Sequence, residues 1–206
     1  MARGIIDKPE WILASASPRR KEILQQLGMR FQVDPSNAPE PPRNPRETPA
    51  RYALRVACLK AADVARRHPA GLILAADTIV VLQNTVLGKP RDREDARHML
   101  RKLSGRWHEV LTGICLMDSC QNHIHSAGSR SRVHFRRMLA EEIDWYLNKN
   151  EYRDKAGAYG IQGYAALFID RIEGCYFNIV GFPVAAFDRL CRKAEIPLIL
   201  DSRLKT

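Results

Sequence analysis

The sequence predicts an α/β fold, and three observations carry that reading. Segments of strand character alternate with segments of helix character along the whole 206-residue chain. Residues 72–76 and 79–82 are unbroken apolar runs of strand length, rich in Leu, Ile and Val. A hydrophobic content of 45% lets a chain of this size bury a real core.

Taken in order, residues 11–14 read as a short buried strand. Ser17 follows as a helix N-cap with Pro18 in the first turn, and Ile23, Leu24 and Leu27 form an apolar face until Gly28 stops the helix. Residues 31–33 look like a second strand. Six prolines from Pro35 to Pro49 rule out regular structure there, and a long loop inside a compact unit is often functional. Thr48-Pro49 opens a helix to Arg67 with Tyr52, Val56 and Leu59 on its apolar stripe. The runs 72–76 and 79–82 are separated by the polar step Asp77-Thr78. Asp92 caps a helix that buries Ala96, Met99, Leu100 and Leu103. Residues 110–117 and 131–135 read as strands, and 141–148 as a short helix. In the glycine-rich stretch 157–181, residues 165–172 and 177–180 are strand-like. Pro183 starts a last amphipathic helix on Val184, Phe187 and Leu190.

The formal net charge of +10 attracts polyanions, so nucleic acid has to be considered as a partner. Lys and Arg are dispersed, however, and pairs such as Arg66-Arg67 and Arg136-Arg137 read as solvated edges. Charge therefore supports phosphate binding and nothing narrower. Cys58, Cys115, Cys120, Cys175 and Cys191 contain no C-x-x-C pair, which argues against a zinc knuckle or a disulfide framework. Free thiols in a reducing cytoplasm are expected. No apolar run reaches the roughly 18 residues that span a bilayer, and the first residues lack the apolar stretch of a signal peptide.

Four segments carry chemistry. In residues 12–24, ILASASPRRKEIL, a helix N-terminus offers unpaired N–H groups to an anion. Ser15 and Ser17 add hydroxyls, while Arg19 and Arg20 add forks suited to phosphate oxygens. Two arginines in a first turn oppose the helix dipole unless an anion offsets them; a Ser-capped surface helix with solvated arginines gives the same string. In residues 73–81, ILAADTIVV, Asp77 follows an apolar strand, where a carboxylate needs partners or solvent. It reads as a metal ligand or general base at a sheet rim, or else as a turn residue between two strands. Lys89, in Gly88-Lys89-Pro90, brings a mobile cation to the same rim. In LSGRWHEVLTG, residues 103–113, His108 has no second ligand at metal spacing and reads as a structural histidine. In DKAGAYGIQG, residues 154–163, three glycines allow close backbone approach, and Gln162 carries the donor and acceptor needed to read a base edge. A tight connection between lobes would look the same.

Together with LGKPRDREDARHML and NIVGFPV, these strings resemble the Maf family of nucleoside triphosphate pyrophosphatases, in the family's order and from Ile12 to Leu190. The resemblance implies an α/β fold with a mixed twisted sheet, two lobes around a substrate cleft, and similarity to inosine triphosphate pyrophosphatases. It further implies one unit with its core over 10–194, a homodimer, and a divalent metal, Mg²⁺ or Mn²⁺. Asp77 matches the family's proton acceptor. Arg19, Thr78 and Gln162 match three positions of substrate choice and carry the residues of the dTTP/UTP branch, not those of the 7-methyl-GTP branch. Lys60 matches the lysine of the A-x-x-K-A helix, and Lys89 that of G-K-P. Glu40 falls where the family has an acidic pair, with Asp77 as the other candidate metal ligand. Two departures stand out: the acidic pair is reduced to Pro39-Glu40, and the usual S-G-E-P reads Lys149-Asn150-Glu151-Tyr152, which predicts altered mobility before Gln162.

The expected activity is hydrolysis of dTTP or UTP, and of modified pyrimidine triphosphates, to monophosphate and pyrophosphate. Water attacks the α-phosphorus, and Ser15, Arg19, Arg20, Lys60 and Lys89 bind the substrate. The rival expectations are the same chemistry on a purine nucleotide and a non-catalytic nucleotide- or nucleic-acid-binding regulator. Neither membrane nor nucleic acid is required.

Overall fold

The computed structural model describes residues 10–196 and 198. A seven-stranded mixed sheet holds β1 (Glu10–Leu13), β2 (Gln32–Val33), β3 (Gly71–Leu82), β4 (Thr85–Leu87), β5 (Trp107–Asp118), β6 (His123–Phe135) and β7 (Ile169–Glu173). Their order is β2-β1-β3-β5-β6-β7, with β4 paired to β3 off this path. β1 runs parallel to β2 and β3, and the other pairings are antiparallel. The helices are α1 (Pro18–Gln26), α2 (Pro49–Ala65), α3 (Arg93–Leu103), α4 (Ala140–Leu147), α5 (Tyr176–Val180) and α6 (Val184–Lys193). The expected mixed α/β sheet is what forms.

Side chains alternate between the faces of a strand, and that rule sorts the core. On one face Leu72, Leu74 and Ala76 of β3 join Ile114 and Leu116 of β5 in a core covered by α1 and α6. Further along the same face Val80, Leu82 and Val110 join Val133 and Phe135 of β6 in a second core under α3 and α4. Between them lie Thr78, Thr112 and Ser131, a polar belt across three strands. The opposite face carries α2.

Helix α2 sits unusually close to that face. Its buried ridge is Ala53, Ala57, Ala61 and Ala65, spaced four apart. At Gly113 of β5 an added Cβ would lie 2.6 Å from the backbone carbonyl of Ala53, so the closest approach needs glycine. Leu59, expected on the apolar stripe, is instead 40% exposed, and Tyr52 is half-buried. The alanines, with Val56 and Val64, are the residues that face inward, and Val56 is buried as expected.

At the step Asp77-Thr78, where a strand carboxylate and a turn residue were both open, β3 passes straight through and decides for the strand. Two further expectations differ. β6 begins at His123, well before 131, because its outer half faces solvent and lacks an apolar run. Of the strand-like pieces after 157, Tyr164–Phe168 is a 3₁₀ turn before β7, and Tyr176–Val180 is helical. Short apolar runs do not discriminate the two states, and here Gly181, at φ 122°, ends α5 directly.

His108 is structural, as expected. It is 2% exposed, its Nε2 pairs with the Tyr159 hydroxyl at 2.7 Å, and its ring meets Phe135 and Tyr159 edge-on. Burial pushes its pKa down to about 4, so folding favours the neutral ring. The unfolded chain then binds the extra proton first, and stability falls as pH drops from about 6.5 towards 4, by up to ~3 kcal/mol. Urea denaturation across that range should show the decline, and His108→Gln should flatten it; an equal slope in the variant would assign it to other groups. All five cysteines are free. Among the described residues, no helix is long and apolar enough to cross a membrane.

Candidate active site

The cleft lies where the sheet has an unpaired edge. β1 pairs with β3 only as far as Leu74, and β4 pairs with it from Val80 onward. Among the described residues, the edge between them has no strand neighbour, so side chains from both faces of β3 reach one opening. Asp77 arrives from the α2 face and Thr78 from the other. The opening is a cleft of about 870 Å³, walled by residues 14–20, by Glu40 from the proline-rich loop, by α2, and by residues 151–163.

Asp77 is 7% exposed, and Lys60 of α2 holds it. The Lys60 ammonium donates to Asp77 Oδ1 at 2.7 Å and to Glu40 Oε1 at 2.6 Å. One cation thereby joins the carboxylate of the central strand to that of the loop. Burial would raise the Glu40 pKa, but the hydrogen bond and charge of Lys60, with Lys89 and Arg20 beyond, hold it below the usual carboxylate range. Asp77 Oδ2 has no hydrogen-bond partner among the described residues.

Ser17 stands at the N-cap of α1 with Pro18 next, but its side chain makes no capping bond. The first-turn N–H groups therefore stay open towards the cleft, the arrangement that holds anions. Arg20, expected as an open phosphate fork, is largely a cross-tie. Its Nε donates to the Gly181 carbonyl at 2.9 Å, one terminal nitrogen to the Ser15 hydroxyl at 2.9 Å, and the other to the Thr78 hydroxyl at 3.1 Å. Burial lowers its pKa, and the nearby Asp77 charge works against that shift. Arg19 lies 3.7 Å from Asp154. Lys89 is exposed on the rim, with no carboxylate partner among the described residues. Gln162 is exposed in the same wall.

All the residues singled out from the sequence, Ser15, Arg19, Arg20, Glu40, Lys60, Asp77, Thr78, Lys89 and Gln162, thus line one cleft. Sequence reasoning missed Tyr52, Glu151, Asp154 and Lys155, which line it too. Tyr52 was assigned to the core; its hydroxyl pKa is raised by burial and by the charges of Asp77 and Glu40. Glu151 bonds the Tyr164 N–H at 2.9 Å, and a Cβ on Gly163 would lie 2.1 Å from its carboxylate. Asn150 takes the left-handed φ of 60° that glycine usually serves, and Tyr152 is 5% exposed in the core.

Five basic and four acidic side chains line the cleft. A buried carboxylate on a central strand, a bridging ammonium and an open helix N-terminus define a phosphate-handling α/β protein with a candidate general base. The chain belongs to the Maf family: the model described as "Maf-like protein" matches residues 10–194. It is 49% identical over 173 residues to a dTTP/UTP pyrophosphatase of Syntrophomonas wolfei subsp. wolfei, covering 84% of this chain and 91% of that one. It is 48% identical over 192 residues to the dTTP/UTP pyrophosphatase of Anaeromyxobacter dehalogenans, with coverage of 92% and 96%. A third relative of the same name, from Pyrococcus furiosus, is 44% identical over 87% of this chain and 92% of its own. Among solved structures, a HAM1 protein from Coxiella burnetii aligns loosely, at TM-score 0.46 and 17% identity over 64% of this chain and 75% of that one.

Proposed function

We propose that this protein is a nucleoside triphosphate pyrophosphatase acting on dTTP and UTP, with residues 10–194 as its functional unit. The observation that carries the reading is the Asp77 carboxylate, fixed by Lys60 at an open sheet edge and facing the N-terminus of α1. Relatives named dTTP/UTP pyrophosphatase, matched over most of both chains, supply the substrate class.

In this reading Asp77 takes the proton of the water that attacks the α-phosphorus, through the Oδ2 that Lys60 leaves free. Pyrophosphate departs with the electrons of the broken P–O bond, against the positive charge of Arg19, Lys89 and the α1 N–H groups. Arg20, already tied on three sides, keeps one uncommitted N–H on each terminal nitrogen for phosphate oxygens. Gln162 and Arg19 stand where the base and sugar are read.

A divalent cation fits this donor set. Asp77 and Glu40 offer two hard carboxylate ligands, each bound through one oxygen to Lys60, and the cleft has only one more cationic than anionic side chain. A triphosphate exceeds that balance, and Mg²⁺ or Mn²⁺ suits carboxylate and phosphate oxygens. Such an ion supplies Lewis-acid polarisation of the α-phosphoryl group. Action as a homodimer in the cytoplasm belongs to the same reading.

A pyrophosphate-release screen over dTTP, UTP, CTP, purine triphosphates and 7-methyl-GTP tests it. Run in ¹⁸O-labelled water, dTTP and UTP should turn over fastest, with the label in the monophosphate. Label in pyrophosphate would place attack elsewhere, and binding without release would make the protein a regulator.

A further inference from the structure

The Thr78 hydroxyl, at a position the family resemblance ties to substrate choice, has its hydrogen engaged within the protein. It accepts from Arg20 at 3.1 Å, shares a hydrogen bond with Thr112 at 2.9 Å, and lies 3.3 Å from the Gly181 carbonyl. Either Thr112 donates to Thr78 and Thr78 to Gly181, or Thr78 donates to Thr112 and Thr112 to the Asn178 carbonyl at 3.4 Å. In both arrangements its one proton is spent inside the protein.

Behind Thr78 the contacts continue into the core. Thr112 is 1% exposed and Asn178 0%. The Asn178 amide donates to the Val110 carbonyl at 2.9 Å and to the Ser131 hydroxyl at 3.0 Å, and Ser131 donates to the Cys175 carbonyl. Asn178 Oδ1 has no partner among the described residues. An unmatched buried acceptor is unfavourable, and an apolar side chain here would avoid it. The asparagine is explained by what its amide holds: it fastens α5, and with it Gly181, to β5 and β6. Gly181 is also the acceptor of Arg20 Nε.

We infer that Thr112, backed by Asn178 and Ser131, is a positioning residue for triphosphate binding, acting through the Thr78 hydroxyl on the Arg20 guanidinium. Thr112 does not line the cleft, so it touches no substrate. Removing its hydroxyl frees Thr78 to rotate, and the guanidinium loses the constraint on one terminal nitrogen while Ser15 and Gly181 keep the other contacts. Binding geometry is loosened, whereas Asp77 and Lys60, on the opposite face of β3, are untouched. This rests on the pyrophosphatase reading.

Steady-state kinetics of Thr112→Val, a near-isosteric change, test it. KM for dTTP and KM for CTP should each rise about tenfold with kcat changed far less, because the triphosphate that Arg20 holds is common to both. Thr112→Ser, which restores the hydroxyl, should restore both. A Thr112→Val protein with a lower melting temperature but wild-type KM for both nucleotides would overturn the inference and leave the belt purely structural. If that variant does not fold, Ser131→Ala at the far end carries the same comparison: a raised KM supports the inference and an unchanged one overturns it. Absence of pyrophosphate release from the wild-type protein would instead defeat the functional reading itself.

Discussion

Asp77→Asn should reduce pyrophosphate release by a factor of about a hundred to ten thousand, the range in which removal of a general base falls. Nucleotide affinity should change only a few-fold. The reason lies in what the substitution keeps. An amide oxygen can still accept from Lys60, so the bridge to Glu40 and the seat of α2 survive. What disappears is the anionic oxygen that takes the proton and serves as a hard ligand. Turnover measured by pyrophosphate release, alongside nucleotide binding by calorimetry, separates the two properties. Turnover near the wild-type rate would remove Asp77 from the chemistry.

Gly113→Ala should be damaging out of proportion to its one added methyl. The new Cβ would lie 2.6 Å from the carbonyl carbon and oxygen of Ala53 and from the Cα of Leu54, all backbone atoms that cannot rotate aside. Relief requires α2 to lift from β5, opening the alanine ridge. Overpacking of this kind costs about 1–3 kcal/mol or more, equivalent to a fall in Tm of several degrees for a chain of this length. Activity should fall as well, because the same helix carries Lys60 and Tyr52 into the cleft. Thermal unfolding and kcat should therefore drop together, and a stable, fully active variant would show that α2 is not held at that distance.

The helices with marked punctuation were legible from sequence. Pro18, Thr48-Pro49 and Asp92 stand at the predicted starts of α1, α2 and α3. Asp77 was ambiguous because a polar step between two apolar runs describes a turn and a continuous strand equally well. Only pairing with β5 along its length, with Asp77 opposite Gly113, decides for the strand. Leu59 and Tyr52 were misplaced because side-chain size argued for burial, whereas close helix-to-sheet contact selects the small face. The cleft residues could be named one by one, but the unpaired edge of β3 that gathers them depends on where β1 stops and β4 starts. That is a property of tertiary pairing and leaves no local signal. Thr112, one polar residue within the strand read over 110–117, carries no local signal of its role, which depends on its neighbours on β3 and α5.

Three strands, β3, β5 and β6, run without a break through both cores and under the belt between them. A two-lobed protein joined by a loop swings about a hinge; this one has a leaf spring at its joint. Opening or closing the cleft must bend three hydrogen-bonded ribbons together, so the motion available at the floor is small and elastic. The floor therefore works as a gauge whose width is set by the twist of the sheet rather than by the ligand resting on it.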